Sequence, residues 1–292
     1  MNIALFTGVL RDAPFEHVAK TAAEIGYDAL ELRALSHLKP DSSIERVKEV
    51  KRIAEHYGLA IPVIYSNING QYANSTEQEA EGKLELLKRY AEWAAIVGAR
   101  MVCHGPGGPS PHEAAQEHFD KASYWLDRAA AILSDSGVKL VLEIHHKSLV
   151  ETIDSTLRLL DTIGRPDVGA ILDPGNMAIA GEDYGEVAVR RLGDRLFHVH
   201  AKDVWFYTDP QDEAKGYAGR QYRVELMGKG HVDHAPAYLA LLHSGYEGYV
   251  SLEAQVAGVE PERIARHEYE QARRTLQRLH VDKNAFRGGA IK

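Results

Sequence analysis

Glu143 in LVLEIHH, Asp173 in AILDPGN, His200 in FHVHAKD and Glu253 in VSLEAQ each close a short apolar run. Three carboxylates and one imidazole form a mixed oxygen and nitrogen set. Such a set suits one divalent ion, manganese first with magnesium or cobalt as alternatives, and leaves positions open for water or substrate. A carboxylate flanked by apolar strand residues is costly to bury unless it is paired or metal-bound, which argues most directly for Glu143 and Glu253. Taken alone, Asp173 could simply cap the turn into Pro174 and Gly175, and His200 could be a satisfied core histidine. His198, separated from His200 by a residue that points the other way, is read as a histidine of that kind. Four such residues at four consecutive run ends are a far rarer coincidence than any one of them. His145 lies two residues beyond Glu143, hence on the same side of an extended strand, and is a second candidate acid or base with Glu143 and Glu253. A partner of the ligands or a plain loop residue is the competing role for it.

These residues converge only if the chain brings the run ends together. Eight β-branched or aliphatic runs alternate with amphipathic stretches: Ile3–Phe6, Ala29–Arg33, Ile61–Tyr65, Arg100–His104, Lys139–Ile144, Val168–Leu172, Leu196–His200 and Tyr249–Glu253. That alternation implies parallel strands joined by helices. Eight units without a Pro/Gly/Ser-rich linker fit a single-domain (β/α)8 TIM barrel over residues 1–280 better than an open doubly wound sheet, and no GxGxxG follows the first run. In such a barrel the C-terminal strand ends meet on one face. One helix is expected to open at Asp154 and close before Gly164. Glycines in IGYDAL, YGLAIP, VGARMV, SGVKLV and SGYEGYV are expected to take the left-handed cap that returns the chain to the next strand. The stretch from Asp203 to about Gly230 reads as a long functional loop. Its adjacent aromatics Trp205, Phe206 and Tyr207 suggest a sugar-stacking lid or an oligomer contact. Residues 281–292 read as a polar, aperiodic tail that is frayed or packs against a partner subunit, so a homo-oligomer stays open.

The 292 residues are 45% hydrophobic and 26% charged, which are ordinary globular values. A net charge of -8 with no evident basic patch argues against a nucleic-acid partner, and 15 histidines hint at metal or proton-transfer chemistry. The single cysteine, Cys103, excludes an intrachain disulfide and a cysteine zinc cluster. With no signal-like leader and no long apolar window, the expectation is a cytoplasmic chain without a membrane span.

The segments ALELR, LVLEIHHKSLVET, VGAILDPGNM, LFHVHAKD, MGKGHVD and GYEGYVSLEAQ resemble, in that order and over nearly the whole chain, the xylose isomerase-like TIM barrel superfamily. The resemblance implies one divalent metal on Glu143, Asp173, His200 and Glu253. It also implies substrate contacts from Lys202 and Asp203, although an ion pair between these two would equally cap the barrel mouth. It further implies an arginine, Arg223, that reaches the substrate. His104 ends the fourth run before GPGGPS, a loop that could approach a ligand. Ketose 3-epimerases of the family commonly carry a histidine where this chain has Asn176. The EIHH and HVHAKD segments look closer to inosose dehydratase and to lyases acting on 3-oxo-glycosides. The expected chemistry is proton abstraction next to a carbonyl of a small sugar or keto-sugar through a metal-stabilised enediolate, in an isomerase or epimerase, with a dehydratase or lyase as the alternative. A catalytically weak barrel with a relic site, acting as a partner subunit, is the reading from a different class.

Overall fold

In the computed structural model, residues 1–66, 68, 70–211 and 214–288 are described, with side chains to residue 279. Strands β1 (Asn2–Phe6), β2 (Ala29–Arg33), β3 (Val63–Tyr65), β4 (Met101–Cys103), β5 (Lys139–Glu143), β6 (Val168–Leu172) and β7 (Leu196–Ala201) follow the expected runs to within two residues at each end. Three further strands intervene, β8 (Asp203–Phe206), β9 (Lys215–Tyr217) and β10 (Arg220–Glu225), before β11 (Tyr249–Leu252) completes the ring. The barrel closes in the order β1, β11, β7, β6, β5, β4, β3, β2. Every neighbouring pair in it is parallel. The chain is a single-domain TIM barrel.

Helices α1 (Phe15–Ile25), α2 (Ala34–His37), α3 (Ile44–His56), α4 (Glu77–Val97), α5 (Gln116–Ser134), α6 (Ile153–Ile163), α7 (Pro174–Ala180), α8 (Glu186–Leu192), α9 (Ala235–Ser244) and α10 (Pro261–Gly288) surround the ring or its rim. Gly26, Gly58, Gly98, Gly137, Gly164 and Gly245 all have positive φ, as the punctuation required. α6 opens earlier than expected. Thr152 is its cap, with its hydroxyl accepting from the Ser155 amide, and Asp154 lies inside the first turn. α10 carries the backbone as a helix past residue 280 to Gly288, where an aperiodic tail was expected; residues 289–292 lie outside the described residues. Among the described residues no helix is long and apolar enough to cross a membrane.

Strand alternation sends Leu140 and Leu142 of β5 outward into the core under the helices. The opposite parity points inward, where Val63, Cys103, Val141 and Ile171 fill the barrel floor. The same inward parity continues to Glu143 and Asp173, and on β7 it carries His198 and His200, so the chemistry sits on a packed apolar base.

Glu268 on α10 is a buried carboxyl away from that site, with Oε1 accepting from the Met227 amide at 2.8 Å. Burial, with the charges of Asp203 and Glu225, pushes it up to about 8. Because the folded pKa lies above the unfolded one, its contribution to stability is full at acidic pH and is lost as pH rises through about 8. Glu268→Gln cannot titrate, so the variant should gain stability relative to the parent between pH 5 and pH 9 in urea denaturation. A difference that does not change with pH would remove Glu268 from this role.

Candidate metal centre and substrate cavity

Four strand ends deliver the four expected donors to one point. One ligand atom from each of Glu143, Asp173, His200 and Glu253 lies within 4.8 Å of all the others. Glu143 ends β5, Asp173 follows β6, His200 is the fifth residue of β7 and Glu253 follows β11. Asp173 also performs the capping role that its DPG context suggested. Its Oδ1 accepts from the Asn176 amide at 3.1 Å at the start of α7, while Oδ2 accepts from Lys202 Nζ at 2.7 Å. Cap and donor are thus different oxygens of one carboxylate.

Glu143 is held as an anion. Tyr65 Oη donates to Oε2 at 2.9 Å and Asn176 Nδ2 donates to Oε1 at 3.0 Å. Burial alone would raise its pKa, but His200, His145 and Lys202 outweigh burial and hold the carboxyl well below its usual range. Tyr65 is correspondingly kept neutral, by the Glu143 charge and then by burial. Glu253 goes the other way. Burial, with Asp173 and Glu143 close by, pushes it up to about 7 although Lys202 is bonded to it.

His200 acquires its orientation from Glu31 on β2. Its Nε2 lies 2.9 Å and 3.1 Å from the two Glu31 oxygens, which leaves Nδ1 facing Glu143 Oε1 at 3.4 Å and Glu253 Oε2 at 3.3 Å. Nε2–H donation to a carboxylate fixes the tautomer that presents a lone pair at Nδ1, the arrangement commonly found behind metal-ligating histidines. His198 donates from Nε2 to the same Glu31 at 2.8 Å and is a buried core histidine, as its place in the strand suggested, but its Nδ1 has no hydrogen-bond partner among the described residues. Burial opposes charge on His200, yet Glu31 and Glu253 raise its pKa well above the ordinary value. The donor set therefore fits a divalent ion: three carboxylates crowd one imidazole, and two of the four groups would release protons on binding it. Affinity should accordingly fall as pH drops through about 7, the region where Glu253 protonates. Metal titrations between pH 5 and pH 8 check this, and a flat profile would count against both Glu253 and His200.

The donors open onto a cavity of about 410 Å³ lined by Phe6, Arg33, Tyr65, His145, Lys202 and Tyr222 among others. A second cavity of about 380 Å³ adjoins it through Tyr65, Glu143, His145 and His146, and reaches His104. Of the expected contact residues, His145, Asn176 and Lys202 line the first cavity and His104 the second. His145 Nδ1 lies 2.6 Å from the His146 carbonyl oxygen, so Nδ1 carries the proton and Nε2 remains to take or give one. His104 Nε2 lies 2.6 Å from Tyr72 Oη, and burial, followed by the Lys83 charge, lowers its pKa to about 4.

Asp203 and Arg223 are not brought to the site. Asp203 is fully buried and accepts from the amides of Gly228, Gly230 and Val232, each at 2.9 Å, so it organises the MGKGHVD turn. A Cβ on Gly230 would come within 2.2 Å of the Asp203 carboxylate, which explains the glycine. Lys202 bonds to Asp173 and Glu253, so the ion pair that would have joined it to Asp203 does not form. Arg223 misses by one residue. The stretch expected as a loop is a three-stranded antiparallel sheet, in which Tyr222 pairs with Phe206 and Lys215 while Arg223 pairs with Trp205. Tyr222 and Val224 therefore face the cavity, and Arg223 turns outward to Tyr207 and Glu225. The three aromatics form no lid over the donors. Trp205 stacks outward with Arg223 and His231, and Phe206 packs against the small core beneath the sheet.

Glu31, Arg33, Tyr65 and Tyr222 were not singled out from the sequence. Glu31 carried a usable signal, a carboxylate inside the apolar ALELR run that repeats the signature of Glu143. Tyr222 carried none, because its orientation depends on a sheet that pairs across an irregular stretch.

Residues 19–277 match the family described as xylose isomerase-like TIM barrel. The chain belongs to that family. Among curated proteins it is similar to an inosose dehydratase from Geobacillus kaustophilus (strain HTA426), at 25% identity over 263 residues, covering 82% of this chain and 80% of the relative. Among solved structures it resembles an L-ribulose 3-epimerase, with a TM-score of 0.79 at 18% identity over 100% of this chain and 99% of the other. It also resembles the IOLI protein with a bound zinc atom, with a TM-score of 0.78 at 18% identity over 96% and 99% of the two chains. At that identity the two structures establish the shared fold. The dehydratase and the epimerase are named as enzymes, and this chain is an enzyme as well.

Proposed function

We propose that this barrel is a divalent-metal-dependent enzyme that removes the proton next to a carbonyl in a small sugar-like ketone. The convergence of Glu143, Asp173, His200 and Glu253 within 4.8 Å beside an open cavity carries the reading. A divalent ion held by these residues, manganese, magnesium, cobalt or zinc, would supply the Lewis acidity that makes such a proton removable. The chain's own residues do the rest. Glu143, bonded by Tyr65 and Asn176 and kept anionic by His200, His145 and Lys202, and His145 itself border the cavity and can take or return a proton. Lys202 holds Asp173 and Glu253 in place.

Two courses follow proton removal, and elimination is the better supported. The Geobacillus relative is named for dehydration, and His145 Nε2 supplies a group able to protonate a departing hydroxyl beside the Glu143 carboxylate. In that course the carbon loses its proton, the β-hydroxyl leaves as water with a proton from the acid, and an unsaturated ketone results. The second course returns the proton to the other face of the carbon, as an epimerase would, and the pair Glu143 and Glu253 favours it. Inosose-type ketones and ketoses incubated in heavy water separate the two. Elimination should give an ultraviolet-absorbing enone and be abolished in His145→Ala. Deuterium incorporation with the skeleton intact, surviving in His145→Ala, would establish epimerisation instead. Wild-type enzyme loaded with metal that does neither would leave the partner-subunit reading.

A further inference from the structure

We infer that the substrate carries an acidic substituent, a carboxylate or a phosphate, which docks on Arg33 and Lys215 in the donor cavity. The inference deepens the proposed function and rests on that cavity being the substrate site. Both side chains line the same volume of about 410 Å³. Arg33 is the last residue of β2 and points inward with the same parity as Glu31. Its position is built. A Cβ on Gly8 would lie 2.8 Å from Arg33 Cδ, so the absent side chain is what makes room for the arginine stem. The guanidinium Nη1 donates to Ser36 Oγ at 2.9 Å, which fixes the plane of the fork and leaves its other donors available.

Among the described residues no carboxylate lies within 4.0 Å of either the Arg33 guanidinium or the Lys215 ammonium. The two carboxylates lining the cavity are engaged elsewhere, Glu143 with Tyr65 and Asn176, and Glu253 with Lys202. Lys215 arrives from the other side. It pairs with Tyr222 across the three-stranded sheet and so shares the sheet face turned to the cavity. Two cations that meet no carboxylate among the described residues and converge on one partly enclosed volume, in a chain of net charge -8, match an anionic oxygen group. The arginine would supply a planar two-donor contact and the lysine a point charge. A neutral polyol would leave both without a counter-charge.

The test is calorimetric binding to the metal-loaded full chain with three probes: D-fructose, 5-keto-D-gluconate and D-fructose 6-phosphate. At least one acidic probe should bind ~10-fold or more tightly than D-fructose at low salt, and the gap should narrow as salt is added. Which acid wins distinguishes carboxylate from phosphate. In Arg33→Met the gap should close, with a larger loss for the acidic probe than for D-fructose, and in Lys215→Met, an exposed strand residue whose loss does not threaten folding, it should narrow. Acidic probes that bind no better than D-fructose, or not at all, overturn the inference, as does a gap that survives Arg33→Met. Repeating the titrations after metal removal, with deuterium exchange followed in parallel, separates the two failures. An acid preference with neither exchange nor an enone would sink the proposed chemistry alone, and exchange or an enone without an acid preference would sink this inference alone.

Discussion

Purified Glu253→Gln protein is expected to hold far less divalent metal than the parent and to turn over ~10²–10⁴-fold more slowly, the range for losing a positioned acid or base. The substitution keeps the shape of the side chain and an acceptor for Lys202, so it removes charge from the donor set while disturbing little else. Asp173→Asn should lose metal as well, but that variant also alters a helix cap and the partner of Lys202, so its melting temperature must be measured alongside. Glu143→Gln should match Glu253→Gln in turnover. Elemental analysis of protein purified and dialysed in parallel provides the reading. Full occupancy in both Glu253→Gln and Asp173→Asn would dismantle the ligand assignment, whatever happens to activity.

The second large effect concerns Lys202 and the protein without metal. Its ammonium is the cation bonded to both Asp173 and Glu253, inside a cluster that also contains Glu143. Removing one partner of a buried ionic group typically costs ~3–5 kcal/mol, because the remaining charges are left uncompensated. Lys202→Met should therefore be destabilised by about that amount when metal is stripped. Loading a divalent ion restores positive charge to the same carboxylates, so the deficit should shrink in its presence. Acidification should shrink it too, since protonating Glu253 relieves the repulsion, and with Lys202 gone that carboxyl should titrate still higher than its present value of about 7. Urea denaturation with chelator and with manganese tests both points. An equal deficit in the two conditions would mean that Lys202 contributes packing and not charge balance.

Two donors, Glu143 and Glu253, were legible because a carboxylate closing an apolar run has few stable fates, and Asp173 and His200 because they coincide with them at consecutive strand ends. The barrel was legible because period-two apolar runs alternated eight times with helical stretches punctuated by glycine, a signal written in consecutive residues. Arg223 and Asp203 show where this stops. Both were placed by the family resemblance, and both were turned away by contacts tens of residues distant: the pairing of β10 with β8, and the amides of residues 228–232.

The sequence by itself therefore determined the barrel and the four candidate donors at its strand ends, since strand parity and burial cost act on neighbours along the chain. The tertiary structure alone decided which nitrogen of His200 faces the donors, which oxygen of Asp173 caps a helix, and that Lys202 bridges Asp173 and Glu253 while Arg33 and Lys215 meet no carboxylate among the described residues. Those outcomes depend on distances of a few ångströms between strands that are far apart in the chain. In an antiparallel pair a shift of one residue reverses the face a side chain presents, and no local pattern in the excursion between β7 and α9 records that register.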